Sequence, residues 1–377
     1  MIYDGLFERG QPQGRRPWGW SSKSIVYKGG PSMTEYRGIV RHLWLCAAFS
    51  LLTGGTMFAK ESESLKPGTE LNTKDVPYKI VYESLRQTDG KENWELILID
   101  ADGSNPVNLT KTPDVGELYP HASPDGTKVC FEANEGTDKS NMVRSVYYMN
   151  LDGTNRVKVA HNARQACWGP DSQTIAFLKS EFERYNYADY ATKGVYFYDL
   201  QTGKTTEHSN CANLFHLYNL CLSPDGKWFA ATVHGGMGFK HADLAFPAEG
   251  KEIFDLTPFK VTGCRPDFSP DGKRITWGAT DWDLFIASID FRSGKALVTN
   301  VRQIVKCDKE HEVYHTDWSP DGRYIAFSYG PEADEMGGGK APGWNICVSD
   351  LTGKWVQITN DGNHDKEPDW VPVARTN

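Results

Sequence analysis

The sequence predicts an all-β, six-bladed propeller built of four-stranded antiparallel blades. Three observations carry this. A Ser-Pro-Asp-Gly tetrapeptide, or a close variant, recurs at nearly constant spacing. Each copy is flanked by short runs rich in β-branched and aromatic residues. Helical periodicity is nearly absent. The composition agrees: 12 Trp, 17 Tyr and 17 Phe stand beside 36 Gly and 20 Pro in 377 residues, which suits short strands joined by tight turns.

The tetrapeptides are Ser123-Pro-Asp-Gly126, Gly169-Pro-Asp-Ser172, Ser223-Pro-Asp-Gly226, Ser269-Pro-Asp-Gly272 and Ser319-Pro-Asp-Gly322, with a degenerate sixth copy at Val371-Pro372. The intervals are 46, 54, 46, 50 and 52 residues. Pro presets φ, Asp bonds its own backbone, and Gly takes the position that other residues adopt at a cost. Runs such as His315-Thr-Asp-Trp318 before the turn and Tyr324-Ile-Ala-Phe327 after it make each copy a hairpin. A second hairpin follows in each unit, for example Ser145–Met149 ahead of the turn at Asp152-Gly153. Four strands in about 50 residues is a propeller blade.

Five complete units start near residues 117, 163, 216, 264 and 313. The run Tyr78–Glu83 is a second strand that lacks a first, and Glu367–Trp370 is a first strand that lacks a second. Together they complete a sixth blade and close the ring, leaving no open edge between first and last blades. The propeller is expected over 78–372, with a linker at 60–77 and a short tail at 373–377.

The repeats Pro266-Asp-Phe-Ser-Pro-Asp-Gly272 and Thr316-Asp-Trp-Ser-Pro-Asp-Gly322 resemble those of the TolB-like six-bladed propellers. The resemblance covers the propeller domain only. Residues 60–77 leave no room for the α/β domain that precedes the propeller in that family. No Gly-x-Ser-x-Gly is present to suggest the hydrolase domain of prolyl-oligopeptidase relatives. The family resemblance implies protein or peptide binding around the channel mouth.

Arg37 and Arg41 precede an apolar run from Leu43 to Leu52 that ends in small residues. This is the pattern of a secretory signal over 33–59, cut near Ala59. Residues 1–32 read as an over-extended or disordered segment upstream of a start at Met33. The apolar run is short for a membrane span, so a periplasmic or secreted protein with no stable span after cleavage is expected. A net charge of −8 argues against nucleic acid as a partner. Of eight cysteines, Cys130, Cys167, Cys221 and Cys347 lie in strand-like runs and read as buried thiols. Cys211, Cys264 and Cys307 fall in or near loops, where one disulfide is an alternative.

Counting back from each tetrapeptide places candidate site residues on the innermost strands. Four positions back stand Tyr119, Gln165, Asn219, Arg265, His315 and Glu367; two back stand His121, Cys167, Cys221, Asp267, Asp317 and Asp369. Further out lie His161, His216, His311 and His364. The binding surface expected at the channel mouth comprises Tyr119, His121, Gln165, His216, Asn219, Arg265, His315, His364 and Glu367. The Asp residues of the second set are expected to accept bonds from a neighbouring blade's backbone. Trp168, Phe268, Trp318 and Trp370 are expected in the core. Two loops, Phe182–Tyr190 with its tyrosines and Pro331–Lys340, are candidates to frame a pocket.

The leading expectation is a non-enzymatic, monomeric binding module for an envelope protein or peptide, or for an oligosaccharide. No cofactor is expected. The alternative is a polysaccharide lyase or hydrolase of the uronate type. Its base would be His315 or His216, and Arg265 or a divalent metal held among His121, His216, His315 and His364 would neutralise the substrate carboxylate. A purely structural role is the third reading.

Overall fold

A computed structural model describes residues 71–373, apart from 137–140, 187, 280–282, 293, 309 and 332–342. The 33–59 signal, the residues before it and most of the Pro331–Lys340 loop lie outside the described residues.

The strands form six four-stranded antiparallel sheets. Five are sequential meanders over 116–160, 163–207, 217–255, 263–305 and 311–357; they are blades two to six here. Blade one pairs the C-terminal strand His364–Val371 with Lys79–Thr88, from Lys79 opposite Val371 to Leu85 opposite His364, with a bulge between Val81 and Glu83. The ring is closed as the two half-blades in the sequence imply, and the C-terminal strand is innermost in its sheet.

Each tetrapeptide makes the turn between a blade's first and second strands. In the first copy the Gly126 N–H donates to the Ser123 carbonyl at 2.8 Å, and the Ser123 hydroxyl donates to Asp125 Oδ1 at 2.6 Å. The last turn position lies in the left-handed region in every complete copy, from Gly272 at φ 65° to Gly226 at φ 70°. Blade three has Ser172 there at φ 54°, and its hydroxyl accepts the Asp125 N–H of the neighbouring blade at 3.0 Å. That bond offsets part of the left-handed cost.

The core lies between blades, as clusters that each draw on two neighbouring sheets. Trp370 packs with Ile80 and Ile97 of its own blade and with Ala326 and Ile346 of blade six. Trp168, Phe268 and Trp318 occupy equivalent buried positions. None of the seven described cysteines forms a disulfide. Cys211, Cys264 and Cys307 are among the seven, so the disulfide alternative is not realised; Cys264 lies within an innermost strand rather than a loop.

Candidate binding site at the channel mouth

The six residues four positions before the turns share one unusual backbone state. Tyr119, Gln165, Asn219, Arg265, His315 and Glu367 all have positive φ, between 48° and 59°. Each sits where the register between first and second strands slips, as between Leu118 and His121 or Tyr314 and Thr316. A bulge of this kind bends the strand and re-aims a side chain. A non-glycine residue in the left-handed region costs on the order of 1 kcal/mol. Six repetitions therefore mark a surface whose side-chain directions matter.

The preceding blade braces these bulges. The Tyr119 N–H donates to buried Glu83 at 2.8 Å, the Gln165 N–H to Glu132 at 2.7 Å, and the Asn219 N–H to the Gln165 side chain at 2.5 Å. The Arg265 N–H donates to the Thr232 hydroxyl at 2.8 Å and the Glu367 N–H to the Ser328 hydroxyl at 3.1 Å.

Two positions further along lies a second ring, and it staples blade to blade. Asp369 accepts the Ala122 N–H at 2.8 Å, Asp317 the Trp370 N–H at 2.6 Å and Asp267 the Trp318 N–H at 3.2 Å. Cys221 accepts the Phe268 N–H at 3.4 Å, Cys167 the Leu222 N–H, and His121 the Trp168 N–H at 3.5 Å. Burial raises all three aspartate pKa values, Asp369 to about 8; for Asp317 the neighbouring Asp369 and Asp267 add to it. These carboxyls act as neutral or shared-proton acceptors. Between the two rings is a cavity of about 60 Å³, room for a few waters.

Above the cavity the charges pair with one another. Arg265, 3% exposed, places Nη1 3.1 Å from Glu367 and Nη2 3.0 Å from Asp189. The rings of Tyr119, Tyr218 and Tyr314 surround its guanidinium at 5.1–5.6 Å, a desolvated cation–π setting. His315 Nε2 is 2.7 Å from Glu367 and Nδ1 is 3.3 Å from the Ser328 hydroxyl. Burial, then Arg265 and Lys366, hold the His315 pKa well below the usual range, so the ring is neutral. Burial pushes Glu367 up, against the pull of Arg265.

The residue at the centre of this network is one that strand counting does not reach. Asp189 lies in the loop between the second and third strands of blade three, within the stretch singled out for its tyrosines. Its Oδ2 accepts from Tyr119 Oη at 2.6 Å and from Arg265 at 3.0 Å; its Oδ1 accepts from Arg144 Nη1 at 3.4 Å. Burial raises its pKa, but Arg265 and Arg144 outweigh that and hold the carboxyl below its usual range. Buried Arg164 pins the loop, donating to the Ala188 carbonyl at 2.8 Å and the Asn186 carbonyl at 3.0 Å. Of the three tyrosines, Tyr185 lies against Arg144, Tyr190 is exposed beside His234, and Tyr187 lies outside the described residues.

The remaining histidines are dispersed. His216 bonds Glu181 at 3.2 Å and the Gly235 carbonyl at 3.1 Å at the rim. His364 is buried between Trp94 and Trp344, and burial depresses its pKa to about 3. His121 lies in the lower ring, 3.7 Å from Asp369. His161 is exposed, and His311 stacks on Tyr329 and bonds Asp308. Among the described residues no three His, Cys, Asp or Glu side chains are grouped as a metal centre requires. The Gly-rich segment 235–240 is a short connection between strands ending at His234 and starting at His241, with the Gly235 N–H donating to the Lys240 carbonyl.

The molecule is thus a six-bladed propeller with a narrow channel whose mouth is filled by its own charged side chains. No family model matches the sequence, and no curated protein does. Solved structures share the fold. TolB from Acinetobacter baumannii is 18% identical over 78% of this chain and 67% of its own, with a TM-score of 0.56. Hydrazine synthase from Kuenenia stuttgartiensis is 12% identical over 78% of this chain and 46% of its own, with a TM-score of 0.55. A chain of a nidogen–laminin complex is 7% identical over 79% of this chain and all of its own, with a TM-score of 0.54. The fold is TolB-like; proteins this different sharing it means that function has to be argued from the site. No helix among the described residues is long and apolar enough to cross a membrane.

Proposed function

We propose that the protein is an exported binding module that presents its channel mouth to a protein segment of the cell envelope and does not transform what it binds. The observation that carries this reading is the mutual commitment of the mouth's charges. Arg265 is engaged by Asp189 and Glu367, and His315 by Glu367 and Ser328. A lyase would need the base and the carboxylate-neutralising cation turned toward a substrate. Here one candidate base, His315, and the candidate cation, Arg265, are each 3% exposed, and the other candidate base, His216, is engaged at the rim by Glu181 and the Gly235 carbonyl. The cavity beneath them, about 60 Å³, is far smaller than a sugar ring and its neighbours require. The rim, by contrast, offers exposed Phe182, Tyr190 and Phe215, residue types enriched in protein interfaces.

The test pairs binding with turnover. The purified protein is titrated calorimetrically with acidic and neutral peptides, and separately incubated with oligogalacturonate while the ultraviolet absorbance of unsaturated products is followed. Saturable peptide binding without product formation supports the reading. Steady accumulation of unsaturated product, abolished by His315→Ala in a folded protein, overturns it in favour of a lyase.

A further inference from the structure

The contacts of Asp189 are those of a bound ligand rather than of a structural ion pair within one blade. Its three partners come from elsewhere in the ring: Tyr119 and Arg144 from blade two and Arg265 from blade five. Two guanidinium groups and a phenolic hydroxyl converge on one carboxylate. Charge-assisted donors of this geometry are how proteins recognise carboxylates. Besides Tyr185 of the loop, which accepts from Arg144 at 3.3 Å, the two arginines are held from outside the loop. Arg265 is fixed by Glu367 and Asn219, and Arg144 by Glu132 at 3.3 Å and the Asn134 side chain at 3.1 Å.

The charge balance points the same way. Glu83, Glu132 and Glu367 are all pushed up by burial, Glu83 to about 7, whereas Asp189 is pulled down. Asp189 is the carboxylate among these four that the arginines hold most firmly in the charged form. With it withdrawn, the mouth carries surplus positive charge in a low-dielectric setting, which selects an anion. The loop that delivers Asp189 also carries exposed Phe182 (47%) and Tyr190 (38%), and Phe215 (39%) stands next to His216 at the same rim.

We infer that Arg265, Arg144 and Tyr119 form a carboxylate receptor, that Asp189 fills it in the free protein, and that an acidic peptide with neighbouring aromatic side chains takes Asp189's place when the loop withdraws. This rests on the binding-module reading and names its ligand. The exposed rings of Phe182, Tyr190 and Phe215 offer an apolar surface on which aromatic side chains flanking the acid can pack. A site blocked by its own residue binds with an affinity reduced by the fraction of molecules that are open. Removing the blocking carboxylate therefore tightens binding.

The probes are acetyl-Tyr-Phe-Asp-amide, its Asn counterpart and digalacturonate, titrated into the wild-type protein, Asp189→Ala and the isosteric Asp189→Asn. The Asp peptide is expected to bind the Asp189 variants at least about ten-fold more tightly than wild type, with no gain for the Asn peptide. Adding Arg144→Gln to Asp189→Asn should erase the preference for Asp over Asn. Acetate should raise the thermal midpoint of Asp189→Ala but not of wild type. Equal binding of the Asp and Asn peptides to the Asp189 variants overturns the receptor. Digalacturonate showing the gain while the Asp peptide does not overturns the peptide assignment. Unsaturated product from digalacturonate overturns the underlying binding-module reading instead, so the two failures are separable.

Discussion

Consider Asp369→Asn, which removes one titrating proton from the lower ring. Asp369 is 7% exposed, its Oδ1 accepts the Ala122 N–H, and burial raises its pKa to about 8. In the unfolded chain its pKa is about 3.9. Between those values the folded state holds a proton that the unfolded state has released. Unfolding free energy then falls as pH rises, by up to ~1.4 kcal/mol per pH unit for one proton. The stabilisation is complete below pH ~4 and is lost as pH climbs through about 8. From pH 6 to pH 8 the loss from this group is about 2 kcal/mol. Asparagine keeps the carbonyl that accepts Ala122 N–H and cannot ionise. Glu83 and Glu367 slope the same way, and the depressed histidines His121, His315 and His364 act below the usual histidine range. The difference between variant and wild type reports Asp369 together with its repulsion of Asp317 and Asp267. Urea unfolding from pH 5 to pH 9 at fixed ionic strength should show the variant with the shallower slope, gaining about 4 kcal/mol on the wild type across that range. Parallel curves for the two proteins would refute the assignment of a shared-proton ring.

Three further outcomes follow from the packing. Trp370→Ala removes a 3%-exposed side chain from between two blades and should cost ~3–5 kcal/mol in urea unfolding. Truncation after Asn363 removes the innermost strand of blade one and exposes the edge of Lys79–Thr88; near-ultraviolet circular dichroism should show loss of tertiary structure rather than a trimmed native fold. Arg164→Met removes two charge-assisted bonds to the Asn186 and Ala188 carbonyls, worth roughly 3 kcal/mol together. Amide exchange in the 186–191 loop should accelerate about a hundred-fold relative to the inner strands.

The architecture was legible because it is written locally. A turn needs Pro, Asp and Gly within four residues, and its fivefold recurrence shows the blade period and the two half-blades. Counting from the turn also located the mouth residues, since Tyr119, Gln165, Asn219, Arg265, His315 and Glu367 occupy one structural position six times over. The stapling role expected of Asp267, Asp317 and Asp369 is seen in their bonds to the next blade. Two things were not legible. The common left-handed state of the mouth residues has no residue-type signature, because six different side chains adopt it under tertiary bracing. Asp189 meets partners 45 to 76 positions away in sequence, and a loop without repeat counterparts gives no register from which to aim it. Its tyrosines drew notice by composition, while the aspartate between them made the contact.

Hydrogen exchange of the 181–191 loop in the wild-type protein, free and saturated with acetyl-Tyr-Phe-Asp-amide, tests the central claim most directly. The peptide should displace Asp189, so exchange at loop amides such as Ala191, which donates to the Ala188 carbonyl at 3.0 Å, should speed up while the inner strands stay unchanged. Slower or unchanged exchange in the loop, with saturation verified by calorimetry, would show that the ligand does not take the place of Asp189 and would contradict the account.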